Sequence, residues 1–100
     1  MVFTSGQIAI DPAAGDIVAK DIAGQTEQVM KNLCAVLAEA GTSMENAIKT
    51  TCFLADIADF AAFNEIYGKY FTSKPARSCV AAKALPKGAL VEVEVIAKIG

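Results

Sequence analysis

Residues 89–99 limit the possible folds more than any other stretch of this chain. Val91, Val93, Val95, Ala97 and Ile99 fall on one side, and Leu90, Glu92, Glu94, Ile96 and Lys98 on the other. Period-two alternation over this length specifies an extended strand with a fixed inner and outer face, because a slip of one residue would turn every valine outward. Such a strand needs partners, and the rest of the chain supplies candidates. Residues 2–10 are rich in β-formers and interrupted by Gly6, which signals a bulge or a close approach by a ligand. Residues 11–16 (DPAAGD) are turn chemistry, and Ile17-Val18 returns to make a hairpin.

Between these strands lie two helical patterns. Asp21 is placed to cap a helix over residues 22–40, with Ile22, Thr26, Val29, Met30, Leu33, Val36, Leu37 and Ala40 on one face and Gly41 just past its end. Cys34 borders that stripe as a small buried hydrophobe. A turn at 42–46 leads into a β-branched run at 48–55 (IKTTCFLA), which reads as a buried strand. Asp59 is placed to cap a second helix over 60–71, whose face carries Phe60, Phe63, Tyr67, Tyr70 and Phe71, with Asn64 beside it. Pro75 ends that helix, and residues 76–82 form a strand. A turn at 85–88 suggests that this strand and the last one pair antiparallel. The order β-β-α-β-α-β-β predicts one α+β domain over residues 1–100, a sheet with both helices on one face.

With 54% hydrophobic residues in 100, a domain this small has more apolar surface than it can bury alone, which points to subunit contacts. The apolar runs are strand-length and broken by charge, so none spans a membrane. A net charge of −2 without a basic stripe argues against nucleic acid as a partner. Cys34, Cys52 and Cys79 fit neither a disulfide framework nor a zinc pattern, and strand-like sequence directly after Met1 leaves no secretory leader, so a reducing, cytoplasmic setting is expected. The chain has no histidine. That removes Ser-His and Cys-His nucleophiles and the commonest metal ligand.

One side chain stands out against this background. Arg77 is the only arginine, set in the apolar run Pro75-Ala76-Arg77-Ser78-Cys79-Val80. Placing a guanidinium there requires a carboxylate or phosphate to meet its fork of donors. The partner could be internal, Glu92 or Glu94, or it could be a bound anion, and the residue types leave both open. If the last two strands pair, Arg77 shares a face with one of those glutamates. A cation and a carboxylate at an apolar seam suit a small planar anion.

These stretches also carry a family resemblance over the whole chain. Phe3-Thr4-Ser5-Gly6-Gln7-Ile8, residues 21–37, Lys49-Thr50-Thr51-Cys52-Phe53-Leu54, Asn64, the Pro-Ala-Arg-Ser-Cys-Val motif at 75–80, Leu85-Pro86-Lys87-Gly88 and Val91-Glu92-Val93-Glu94 resemble the YjgF, or Rid, family of reactive-intermediate imine deaminases. The resemblance implies a chorismate-mutase-like fold, two helices on a mixed sheet, and a homotrimer with a cleft at each subunit interface. It implies hydrolysis of 2-imino acids, such as 2-iminopropanoate and 2-iminobutanoate, to 2-oxo acids and ammonia, without metal or organic cofactor. By the same resemblance Arg77 clamps the substrate carboxylate and Glu92 positions the attacking water. Gly6 and Asn64 line the pocket, and backbone around Cys79 contacts substrate or water. Relative to the family pattern the chain begins inside the first strand, without the preceding Gly-Pro-Tyr-Ser-type stretch whose tyrosine would help close the cleft. The alternatives are a trimer that binds small carboxylates without catalysis, and an RNA-acting translation inhibitor, an activity also attached to the family.

Overall fold

The computed structural model describes all of Met1–Gly100. Its strands are β1 (Val2–Phe3), β2 (Ile10–Asp11), β3 (Asp16–Ile17), β4 (Ala47–Leu54), β5 (Ala76–Ala81) and β6 (Val91–Ala97), with helices α1 (Ile22–Glu39) and α2 (Phe60–Tyr70). β1, β6, β4 and β5 form one mixed sheet in that order, and β2 and β3 form the expected hairpin, Ile10 opposite Ile17. The first predicted strand is therefore split. β1 pairs with β6, Gln7 bridges to Val93, and the chain then leaves the sheet to build the hairpin.

The long helix forms where its capping signals place it. The Gly24 amide donates to the Asp21 carboxylate at 2.8 Å, and Gly41 adopts the left-handed φ of +86° that ends the helix. Val29, Met30, Leu33 and Leu37 are fully buried against the sheet, and truncating any of the large ones to alanine should cost about 2–5 kcal/mol. Three positions differ from the expected stripe. Val36 and Ala40 are exposed, whereas Gln25 is buried, because its amide donates to Ala19 O and accepts from the Leu90 amide, tying two loops to the helix. Cys34 is half-buried. Asp59 makes no cap bond. A short 3₁₀ turn, Ile57–Asp59, precedes α2, so the capping role moves back to Asp56, which accepts from the Ala58 amide at 2.9 Å.

The last two strands do not pair. β5 runs parallel to β4 and β6 antiparallel to β4 on its other side. The crossover through α2 is long enough to bring β5 back parallel, as a helical connection permits. Residues 82–90 then cross the end of β4, with Ala82 donating to Leu54 O and Leu90 O accepting from Ala55. The alternation within β5 and β6 is as expected. Thr50, Cys52 and Leu54 of β4 share the inner face with Val91, Val93 and Val95, and this face together with α1 and Phe63 and Tyr67 of α2 makes the core. Both helices cover that face. The opposite face carries Phe3, Thr51, Phe53, Ser78, Val80, Glu92, Glu94 and Ile96 by register, and nothing in the chain covers it. Phe3 is 69% exposed and Val80 49%. No helix is long and apolar enough to cross a membrane.

Candidate functional site

Register puts Arg77 opposite Thr50, and so on the inner face of an edge strand, at the margin of the helix layer. Its guanidinium carbon lies 4.6 Å from the centroid of the Tyr67 ring and 5.3 Å from that of Phe60. Nη1 donates to Asn64 Oδ1 at 2.5 Å. Phe60, Asn64 and Tyr67 stand at i, i+4 and i+7 on α2, so one helix face presents two aromatic surfaces and an acceptor between them. Each cation–π contact is worth about 0.5–2 kcal/mol, more where water is excluded. The Tyr67 hydroxyl lies 2.7 Å from Thr50 Oγ1, and both residues are buried. Burial pushes the phenol above its ordinary range, so it stays neutral as a fixed support.

Neither Glu92 nor Glu94 meets Arg77. Both point from β6 onto the uncovered face, and β4 lies between their strand and β5. The expected shared face fails for the same reason as the expected strand pairing. The chain holds one ion pair, Lys87 to Asp16 at 3.6 Å, so Arg77 has no carboxylate partner within it. Its fork retains donors for a ligand beyond the one given to Asn64.

A cleft of about 670 Å³ opens beside this arginine, with Asn64, Tyr67, Gly68, Thr72, Lys74 and Arg77 among its lining residues and no carboxylate among them. Asn64 and Arg77 thus come together at one cleft. Cys79 does not line this cleft. It faces Cys52 across the β4–β5 ladder, half-buried. Burial raises both thiols, Cys52 to about 12, while Arg77 draws Cys79 part of the way back down. Both are poor nucleophiles at neutral pH.

Gly6 and Glu92 form a second locus on the other side of the sheet. Thr4 donates to Val95 O and Gln7 to Val93 O, so three steps along the first segment face two along β6 and one extra residue bulges. The bulge brings the Gly6 backbone onto Glu92, where an added Cβ would stand 2.9 Å from the carboxyl carbon. A side chain there would have to push the Glu92 carboxylate aside. No three histidine, cysteine, aspartate or glutamate side chains gather where they could hold a metal ion.

The sequence puts Phe60 and Tyr67 on the aromatic face of the second helix, and nothing in it singles out Gly68 or Lys74. The i, i+4, i+7 spacing of Phe60, Asn64 and Tyr67 was visible. What turns that face toward Arg77 is the parallel β4–α2–β5 crossover.

The fold is a two-helix α+β domain whose cleft carries an arginine without a carboxylate partner. The family model described as endoribonuclease L-PSP matches residues 1–99, and the chain belongs to that family, the Rid/YjgF family. A Synechocystis relative, RutC family protein slr0709, is 52% identical over 99 residues, which are 96% of this chain and 76% of that protein. A human relative named 2-iminobutanoate/2-iminopropanoate deaminase is 44% identical over 97 residues, 96% of this chain and 71% of that one. Among solved structures, Rid family protein YyfA of Yersinia pestis superposes with a TM-score of 0.94 at 52% identity, over 97% of this chain and 79% of that one. E. coli TdcF with bound serine superposes with a TM-score of 0.91 at 40% identity, over 98% and 80%.

Proposed function

We propose that this chain is a hydrolytic deaminase of reactive 2-imino acids and their enamine tautomers, such as 2-iminopropanoate and 2-iminobutanoate, releasing 2-oxo acids and ammonia. The observation that carries the reading is Arg77, a guanidinium held on an aromatic platform, without an internal carboxylate, facing a cleft that contains no acid. The human relative's name and the serine bound to TdcF support a small amino-acid-derived ligand.

In this reading Arg77 takes the substrate carboxylate through paired N–H···O bonds and fixes the adjacent C=N carbon. Asn64 orients the guanidinium. Glu92 accepts a proton from water as its oxygen attacks that carbon, then returns it to the nitrogen. The tetrahedral adduct then passes its hydroxyl proton to the same nitrogen, the C–N bond breaks, and ammonia leaves the 2-oxo acid behind. An imine hydrolyses without a covalent nucleophile, so the chain's lack of histidine is no obstacle, and the Cys79 thiol takes no part in the reaction.

Within one chain Arg77 and Glu92 face opposite ways, so they can meet one substrate only if the β5 edge of one subunit adjoins the Glu92 face of the next. The uncovered face with Phe3 and Val80 supports such an assembly, a homotrimer whose sheets line a central barrel with a cleft at each seam. Three unpaired cysteines suit a reducing cytoplasm.

The test couples the protein to a threonine or serine dehydratase and follows ammonia and 2-oxo acid. Faster release that depends on Arg77 supports the reading, and release at the uncatalysed rate refutes it. Sedimentation gives the assembly in the same preparation. A second reading, carboxylate binding without hydrolysis, is favoured by the distance of Glu92 from the cleft within one chain. It predicts 2-oxo acid binding with no rate enhancement. The RNA-acting reading has only the family description behind it, since the chain has no histidine and a net charge of −2.

A further inference from the structure

We propose that the Arg77 cleft contains a second anion subsite at Lys74, so that its preferred ligands are dicarboxylates: 2-imino or 2-oxo acids with a second carboxylate on the side chain. This rests on the reading of Arg77 as the clamp for the first carboxylate.

Three independent observations lead there. The first is charge. Arg77 and Lys74 both line the cleft, no carboxylate lines it, and neither cation is in an ion pair. Glu45 accepts from the hydroxyl of the lining residue Thr72 at 2.6 Å and does not itself line the cleft. Two uncompensated positive charges in one concavity, on a chain of net charge −2, match a ligand with two negative charges better than one.

The second is the backbone of Lys74, a non-glycine residue at φ +55°. A left-handed conformation costs roughly 1 kcal/mol in a residue with a Cβ, and glycine would remove that cost. The Lys74 amide donates to Phe71 O at 3.2 Å, closing the turn after α2, and Pro75 follows with its φ fixed by its ring. The turn therefore presents a lysine three residues ahead of Arg77 where a glycine would suit the backbone better. Strained positions of this kind gather at ligand clamps.

The third is Gly68, in the interior of α2 and also lining the cleft. Glycine in a helix interior is less stable than alanine by about 1 kcal/mol. Here a Cβ would meet nothing within 4 Å, so packing does not exclude a side chain. What the missing side chain preserves is open volume in the cleft, enough for a ligand longer than a three-carbon acid.

The experiment is a calorimetric titration of the intact protein with pyruvate, a monocarboxylate, and with 2-oxoglutarate, a dicarboxylate, at low and moderate salt. A second charge-assisted contact in a half-open cleft should favour the dicarboxylate by about tenfold in Kd, and salt should shrink that preference. In Lys74→Gln the ratio should collapse toward one, and in Lys74→Arg it should persist. Gly68→Leu should lower the ratio by narrowing the path. Pyruvate binding without preference for the dicarboxylate overturns this inference and leaves the Arg77 reading intact. A preference that survives Lys74→Gln overturns the assignment to Lys74. Binding of neither acid, or equal binding by Arg77→Ala, overturns both readings. Lys74 is exposed and unpaired, so the glutamine variant should fold, and its melting curve checks that it has.

Discussion

Arg77 and Glu92 stand on opposite faces of the same sheet, with the whole of β4 between their strands. A single chain therefore presents the guanidinium on one side of the sheet and the carboxylate on the other, and the proposed clamp and base come from different faces.

The clamp is the more exacting half. Arg77→Lys keeps the charge but loses the planar fork and the fit over Tyr67. We expect it to raise the KM for a 2-imino acid at least tenfold, and Arg77→Ala to raise it further, with thermal stability little changed. Steady-state kinetics with the dehydratase couple measures this, and an unchanged KM in the lysine variant would sink the bidentate clamp.

Tyr67 supports that clamp in two separable ways. Tyr67→Phe keeps the ring beneath the guanidinium and leaves the buried Thr50 hydroxyl only the weak thiol donor of Cys52 at 3.9 Å, so it should cost about 1 kcal/mol of stability with little loss of ligand affinity. Tyr67→Leu removes the ring and should weaken 2-oxo acid binding by roughly tenfold as well. Denaturant melts paired with calorimetry separate the two. Equal binding losses in both variants would show that the ring is not what holds Arg77.

Gly6→Ala tests the other locus. The added methyl must displace the Glu92 carboxylate, a flexible side-chain end, so the fold should hold while the group moves. If Glu92 handles the attacking water, kcat should fall about tenfold or more with KM nearly constant. An unaltered kcat would remove Glu92 from the reaction.

Tyr70 gives a pH signature independent of function. Its hydroxyl donates to the Glu27 carboxylate across the α1–α2 contact, and that bond, more than burial, pushes the phenol to about 12. An unfolded tyrosine titrates near about 10. The folded chain therefore holds this proton more tightly, and the stabilisation is fully present below about pH 10 and lost as pH rises through about 12. Water reaches the bond, so its contribution is about 1 kcal/mol or less. Urea midpoints of wild type and Tyr70→Phe should differ at pH 8 and converge above pH 10. A gap that widened with pH would contradict the assignment.

The sequence revealed the elements whose determinants are local. Asp21, Gly41 and the Val29–Leu37 stripe mark α1 because capping and helical periodicity act within a few residues. The alternation of β6 assigned every side chain of that strand to its face. Strand partnership was not legible, because the turn chemistry at 85–88 looks the same whether the chain folds back on β5 or crosses to the far side of β4. The difference is settled by the crossover through α2, residues 55–75, and the burial it achieves. The site inherited that error. Arg77 is recognisable as a lone cation in need of an anion, internal or bound, with Asn64 a candidate beside it, but the aromatic platform of Phe60 and Tyr67 is not legible, and Glu92 lies on the opposite face.

β5 has a strand on only one side. Beyond Arg77 and Cys79 its other edge offers a row of backbone donors and acceptors to whatever arrives, and an edge of that kind is a template for strand addition. While it stays uncovered, a newly made chain is open to pairing with its own kind in the wrong geometry. Quality control during synthesis and competition between correct docking and fibril-like stacking would then act on the same six residues, Ala76–Ala81, that position the arginine.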